Sequence, residues 1–187
     1  TITIFKRRKY SCMVRLSAFN VLFISETHFS KGQQFNLKGF TPFHNSYSNP
    51  GSKGRGGISC FIDHSLMTHI KSVNVQYEGH IVIHFKGNHK VFGSYIPPQD
   101  SAYFSEQCFY EIINILEPIN SNYIVFGGGD MNSRIGNLFI KNKPTIDSFY
   151  RNNVDSITNS HGQLLYDICK TYKYYSLNNL TLYNTEF

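Results

Sequence analysis

The hydrophobic pattern of residues 72–96 constrains the fold of this chain more than any other feature. Apolar and polar residues alternate in two successive stretches, which is the signature of half-buried strands. The chain is predicted to turn at Glu78-Gly79 and at Gly87-Asn88, a two-residue hairpin signal, before Pro97-Pro98 ends the last strand. We therefore predict an antiparallel meander, whose alternating apolar residues are Val73, Val75, Tyr77, Ile81, Ile83 and Phe85.

Helical patterns follow this meander. Spacings of three and four residues predict a helix that Asp100 or Ser101 caps and Pro118 ends; its apolar face consists of Phe104, Cys108, Ile112 and Ile115. A second helix is predicted to open at the capping box Ser160-x-x-Gln163. Its predicted buried stripe consists of Leu164, Leu165, Ile168, Cys169 and Tyr172.

Short apolar runs predict further strands. Residues 19–26 are typical of a strand buried on both faces, residues 58–62 are predicted to form a strand after GRGG, and the strand at residues 122–126 precedes three glycines. A last strand is expected near residues 174–178. Antiparallel strands mixed with strand–helix–strand units favour packed sheets flanked by helices, which is an α+β fold.

Composition and charge narrow the class of protein. The chain has 187 residues, 41% of them hydrophobic, which predicts one domain with a core of its own. The sequence contains no apolar run of about 18 residues that would predict a membrane span, and no signal-peptide core follows the basic start. The four cysteines are widely spaced and are expected to be reduced. The run Lys6-Arg7-Arg8-Lys9 supplies four of the six net positive charges. We expect an intracellular protein whose residues 1–18 form a basic segment, either a nucleic-acid contact or nuclear address, or a solvated terminus.

Polar residues stand at the ends of three predicted strands. Glu26 lies in SETH, Tyr95 in SYIPP, and Asp130 and Asn132 in GGGDMN. In layered sheet folds, side chains beyond strand ends can converge on a ligand. The glycines 127–129 predict a sharp turn where a phosphate or a metal approaches the backbone, or simply a glycine-rich loop. The sequence contains no P-loop, no G-x-S-x-G elbow and no H-E-x-x-H motif, and its scattered histidines are expected to be core or surface residues.

Four blocks, taken in order, resemble a known superfamily. LFISETH, GRGGISCFI, VFGSYIPP and VFGGGDMNSR are similar to successive blocks of the endonuclease/exonuclease/phosphatase superfamily, over about residues 19–180. The segment DSITNSHGQLLYDICKTYKYYSLNN resembles its retrotransposon branch, an apurinic-type endonuclease that precedes a reverse transcriptase. The resemblance implies a DNase I-like four-layer α/β/β/α sandwich, a DNA substrate, a nuclear location and a fused reverse transcriptase as partner.

The resemblance also implies a role for each polar residue at a strand end. Glu26 matches the acid that binds Mg²⁺, with Mn²⁺ as an alternative; a hard carboxylate suits an ion that keeps several waters. Asp130 matches the acid that positions or deprotonates the attacking water, and Asn132, expected on the same side of the chain, matches the amide that orients it. Tyr95 matches the tyrosine that donates to the phosphate or the leaving group. Arg134 and Arg55 are candidates for phosphate or DNA contact, with a surface position as the alternative for Arg134.

The sequence departs from the superfamily pattern at both ends. No asparagine matching the first strand of the family is found in residues 1–18, so the partial domain is expected to span residues 19–187. Neither the Ser-x-x-Asp-Tyr block nor the Ser-Asp-His block of the family is present. Losing one transition-state donor costs roughly a factor of 10² to 10³ in rate. We therefore expect an incomplete fold that is weakly active or inactive by itself.

Two other functions fit the same sequence. A phosphatase of the superfamily would act on phosphoinositides or other phosphate esters, because one fold can serve several chemistries. A non-catalytic remnant or DNA-binding module would retain the fold without turnover. Cleavage of DNA but not of soluble phosphoesters would favour the nuclease, and DNA binding without cleavage would favour the third reading.

Overall fold

The computed structural model describes residues 2–6, 19–30, 32–33, 35–46, 55–116, 123–138, 149–151, 155–174 and 180–182. The chain divides into two compact units, Thr1–Met131 and Asn132–Phe187. The first unit contains two four-stranded sheets and a helix, and the second contains a two-stranded sheet and a helix. Among the described residues, no helix is both long and apolar enough to cross a membrane.

The first sheet has the order β1-β2-β4-β3. Its strands β2 and β4 correspond to the strands predicted at residues 19–26 and 58–62. Strand β3 was not predicted, because its apolar residues do not repeat with a clear period. The parallel pairing of β1 with β2 brings residues 2–6 into the sheet, although the sequence places residues 1–18 in a separate basic segment. The strands are β1 (Ile2–Lys6), β2 (Val21–Ser25), β3 (Phe40–Asn45) and β4 (Ile58–Asp63).

The second sheet has the order β5-β6-β7-β8. The predicted meander forms its first three strands, with turns where the glycines of residues 79 and 87 predict them. The prediction for the fourth strand is wrong at its end: the chain does not turn at the three glycines but continues through them as a strand. The strands are β5 (Ile70–Asn74), β6 (His80–Phe85), β7 (His89–Tyr95) and β8 (Ile124–Asp130).

The two sheets pack face to face around one apolar core. In β2, β4, β6 and β7, alternate residues point inward, as the period of two requires. A side chain at Gly93 would collide with the ring of Phe23, since a Cβ there would lie 2.1 Å from that ring, so the glycine lets the sheets approach. The core consists of Val21, Phe23, Ile58, Cys60, Ile62, Ile81, Ile83, Val91 and Tyr95.

Helix α1 (Gln107–Leu116) contacts the outer face of the second sheet through His80. It begins later than Asp100 or Ser101, the predicted caps, because Ser101 closes a tight turn and the amide of Gln107 is bonded to the Ser105 hydroxyl at 3.2 Å. The predicted apolar face is buried from Cys108 onward. The side chains of Cys60 and Cys108 are buried, as the sequence predicts for core thiols.

The second unit contains β9 (Phe149–Arg151) and β10 (Leu180–Leu182), which pair antiparallel, and helix α2 (Ser160–Thr171). The cap of α2 is Asn159, whose side chain accepts from the amide of Gly162, so the predicted cap is displaced by one residue. Ile168 is buried as predicted, but Leu164 is exposed. The last predicted strand, near residues 174–178, lies outside the described residues except for residue 174.

Candidate active site

The ends of strands from both sheets carry the predicted residues of the first unit. β2 ends at Ser25, which pairs with Ile58 at the start of the antiparallel strand β4. In the second sheet, β7 and β8 run parallel and end side by side, with Tyr95 paired to Asp130. The amide of Ile96 extends this ladder by donating to the carbonyl of Asp130 at 2.9 Å.

The environment of Tyr95 shows that the end of β2 lies close to the ends of β7 and β8. Its side chain is part of the core and only 6% exposed. Burial raises the pKa of the phenol above its ordinary value, and the negative charges of Glu26 and Asp130 raise the pKa further. Both carboxylates therefore act on the same hydroxyl, which keeps its proton at neutral pH and can donate a hydrogen bond.

Glu26 has a backbone conformation that few residues with a side chain adopt. Its φ is 55°, and that of His28 is 54°. Such left-handed residues cost on the order of 1–3 kcal/mol each and occur often at functional sites. Two bonds hold the segment: the amide of His28 donates to the carbonyl of Gly56 at 2.8 Å, and the amide of Gly56 donates to Nδ1 of His28 at 3.2 Å. The strain at Glu26 is thus maintained by the loop that precedes β4.

The oxygen atoms around Glu26 fit a hydrated magnesium ion. Mg²⁺ is usually bound by one or two carboxylates, several waters and substrate phosphates, and Glu26 and Asp130 supply two carboxylates near one point. The hydroxyls of Ser25 and Thr27 are buried and have no hydrogen-bond partner among the described residues. No group of three or more His, Cys, Asp or Glu side chains among those residues could hold a metal.

Asn45 is a structural residue of this edge that sequence reasoning missed. Its amide Nδ2 donates from the end of β3 to the carbonyls of Val75 and His80, at 3.1 and 3.0 Å, and also to that of Tyr77. These bonds join the first sheet to the turn between β5 and β6. A lone asparagine after an irregular apolar stretch gives no signal of this role, because its partners lie far away in sequence.

The glycines 127–129 have a different role from the predicted turn. A Cβ at Gly127 would lie 1.9 Å from the Phe92 ring, and one at Gly129 would lie 1.8 Å from the carbonyl oxygen of Ser94. Gly129 also has a φ of 154°, which favours glycine. The glycines let β8 pack closely on β7 and so place Asp130 beside Tyr95.

Asn132 and Arg134 belong to the second unit. Asn132 has a φ of 47°, and because β8 ends at Asp130, the alternation of a strand does not extend to Asn132. Asn159 holds this segment: its Nδ2 donates to the carbonyl of Asn132 at 2.9 Å, and its Oδ1 accepts from the amide of Arg134 at 2.9 Å. The guanidinium of Arg134 forms an exposed ion pair with Asp155 at 2.8 Å.

Arg55 is exposed and lies in the loop before β4. Its guanidinium carbon is 5.0 Å from the centre of the Tyr103 ring, a cation–π contact. Tyr103 belongs to the turn that follows Pro97-Pro98. The first unit therefore brings together Glu26, Tyr95 and Asp130, with Arg55 in the loop that is bonded to the Glu26 segment.

Comparisons with known proteins identify the class of fold. No protein-family model matches the sequence, and no curated protein does. The 3′ phosphatase NExo from Neisseria, in a structure bound to a product DNA hairpin, is similar with a TM-score of 0.55 and 12% identity, covering 90% of this chain and 70% of NExo. This likeness, together with the mixed sheets, defines an α+β protein of the DNase I-like fold, as predicted.

Two further solved structures are similar. An AP endonuclease from Archaeoglobus fulgidus has a TM-score of 0.49 and 16% identity over 86% of this chain, and the chain spans 64% of that protein's length. TDP2 from D. rerio, humanised by 14 mutations, has a TM-score of 0.40 and 13% identity over 73% of this chain and 58% of TDP2.

Proposed function

We propose that this chain carries a magnesium-dependent site for hydrolysing phosphodiester bonds in DNA. The observation that carries the proposal is the position of Tyr95, which pairs with Asp130 where β7 and β8 end and whose pKa is raised by the charges of both Glu26 and Asp130. Two carboxylates and a protonated phenol supply a cation ligand, a group that handles the attacking water and a hydrogen-bond donor. Hydrolysis of a phosphodiester needs these three functions.

Each residue has a defined role in this proposal. Glu26 holds Mg²⁺, which when bound neutralises charge on the phosphate. Asp130 orients the attacking water or accepts its proton. Tyr95 donates its hydroxyl proton in a hydrogen bond to a phosphate oxygen or to the leaving oxygen. Because Tyr95 is buried and held by packing, this donor needs little reorganisation as charge develops.

The biological setting is part of the proposal and is supported by the sequence alone. The segment DSITNSHGQLLYDIC favours the retrotransposon branch, so we propose an endonuclease domain that acts in the nucleus beside a reverse transcriptase. The alternatives are a phosphatase, which fits the fold shared with NExo, and a DNA-binding module without turnover. Weak nuclease activity of the isolated chain is expected if it is an endonuclease domain, and no activity is expected if it is a DNA-binding module.

Nicking of supercoiled plasmid tests the proposal, because a single cut per molecule is visible even when turnover is slow. We expect weak nicking with Mg²⁺, none with excess chelator, and a further loss of roughly 10²- to 10³-fold in Asp130→Asn. Asp167→Asn, which removes an exposed carboxylate from α2, is the matched control and should nick like the wild type. Nicking that survives chelation, or an Asp130→Asn variant as active as the control, would contradict the proposal.

Two parallel measurements separate the alternatives. Mn²⁺ binding followed by electron paramagnetic resonance should weaken in Glu26→Gln, whether or not the chain cuts DNA. A hairpin with a 3′ phosphate and a soluble phosphate monoester are offered to the same proteins. Release of phosphate without nicking would favour the phosphatase, and DNA binding without either reaction would favour the binding module.

A further inference from the structure

Two exposed arginines were candidates for DNA contact, and their surroundings differ. Arg134 is neutralised by Asp155. Arg55 forms no ion pair with any described residue; its guanidinium lies over the Tyr103 ring instead. An aromatic ring holds a guanidinium in place without occupying its N–H groups, which remain available to an anionic ligand. Of the two arginines, Arg55 is therefore prepared to bind an anion.

The position of Arg55 is set by the segment that carries Glu26. The pairing of Ser25 with Ile58 continues beyond the strands, as the amides of Thr27 and His28 donate to the carbonyls of Gly57 and Gly56 at 3.5 and 2.8 Å. Arg55 is the next residue along the chain from Gly56, so the loop that carries Arg55 is bonded directly to the segment that carries Glu26.

Tyr103 is fixed from the other side of the site. The chain leaves β7 at Tyr95, passes Pro97-Pro98 and turns, with the amide of Ser101 donating to the carbonyl of Pro98 at 2.9 Å. The amide of Tyr103 is held by the Ser101 hydroxyl at 3.3 Å. The loop that follows Tyr95 and the loop that precedes β4 thus meet in the Arg55–Tyr103 pair. Each of these loops adjoins a strand whose end forms part of the site.

We propose that the Arg55–Tyr103 pair binds a DNA phosphate next to the one that is cleaved. Arg55 donates to the phosphate oxygens, and Tyr103 is a positioning residue that holds the guanidinium. This inference rests on the proposed function and specifies its substrate as a polynucleotide, because a small phosphate monoester has no second phosphate to reach the pair. Removal of Arg55 should therefore affect DNA more than a soluble phosphoester.

The salt dependence of DNA binding tests this inference with the full chain. Binding of a short fluorescein-labelled DNA duplex is measured by anisotropy in chelator, between about 50 and about 200 mM salt. One lost phosphate contact lowers the slope of log K against log salt by about 0.9, which is the expected result for Arg55→Gln. Arg55→Lys should keep the slope, because an ammonium also neutralises a phosphate. Tyr103→Ala should bind more weakly than Tyr103→Phe, which retains the ring.

Lys71→Gln is the matched control, since it removes one exposed charge from β5, at the opposite edge of the sheet from β8, and should keep the slope. Equal slopes for Arg55→Gln and Lys71→Gln would overturn the inference while nicking by the wild type still supported the proposed function. A reduced slope in Arg55→Gln alone would support the inference even if nicking failed. A wild type that neither binds nor nicks DNA would overturn both.

Discussion

The buried His80 ring makes the stability of the first unit depend on pH. The side chain is fully buried, and burial lowers its pKa to about 4. Its Nε2 lies 2.8 Å from the carbonyl oxygen of Cys108, which can only accept, so Nε2 carries the proton. Nδ1 then accepts from the hydroxyl of Ser94 at 2.7 Å. A second proton would lie on Nδ1, so the Ser94 hydroxyl would have to accept instead of donate, and the ring would carry a buried charge.

The magnitude follows from the difference between the folded and unfolded pKa. The unfolded value is about 6.5, so the gap is about 2.5 pKa units, or about 3 kcal/mol. Between pH 6.5 and pH 4 the unfolded chain binds a proton that the folded chain excludes. The free energy of unfolding is therefore highest above pH 6.5 and falls as pH decreases, by up to about 1.4 kcal/mol per pH unit, until it levels off below about pH 4.

Urea denaturation followed by circular dichroism between pH 7 and pH 4 measures this effect, with His80→Gln as the comparison. The variant should be less stable than the wild type at pH 7, because Ser94 or Cys108 loses its partner, but its stability should depend less on pH. The difference isolates His80 from His44 and His84, whose pKa values burial also lowers. If the variant does not fold, the ring of the wild type is titrated by NMR. A His80 midpoint near 6.5, or parallel pH profiles, would refute the reasoning.

Four further substitutions test the site and its supports. Gly129→Ala should cost about 3 kcal/mol or more, measured by urea denaturation, because its Cβ meets the backbone of Ser94; an unchanged midpoint would contradict this. Asn45→Ala should cost about 1–3 kcal/mol in the same assay, since carbonyls at the turn between β5 and β6 lose a donor, and Asn45→Asp should not restore stability because it lacks the amide hydrogens. Asn159→Ala should cost about 2 kcal/mol and fray α2, detected by hydrogen exchange; full protection of the first turn would argue against the cap. Tyr95→Phe should lower nicking roughly 10²-fold with little change in DNA binding, because it removes one donor and keeps the ring; equal loss in both assays would assign Tyr95 to binding.

Local patterns predicted the elements because burial repeats with the period of the local structure. The alternation from Val73 to Phe85 gives strands of the second sheet, and the spacing of Cys108, Ile112 and Ile115 gives the buried face of α1. β3 was missed because Pro42 and the polar residues around it interrupt any alternation. The glycines after Phe126 were wrongly predicted to form a turn. A glycine that is needed for close packing cannot be distinguished in the sequence from one that is needed for a turn.

By itself the sequence determined the alternation of strands and helices and the residue types at the strand ends: Glu26, Tyr95, Asp130 and Asn132. The tertiary structure alone decided which of them act together. Strand pairing within the second sheet places Asp130 beside Tyr95, whereas Glu26 follows β2 of the first sheet, so only the packing of the two sheets brings its charge to Tyr95. The same holds for Asn45, whose carbonyl partners are remote in sequence, and for Arg55, whose ring partner follows another strand. Periodicity records the environment of each residue separately, whereas a site depends on distances between residues that only the folded backbone sets.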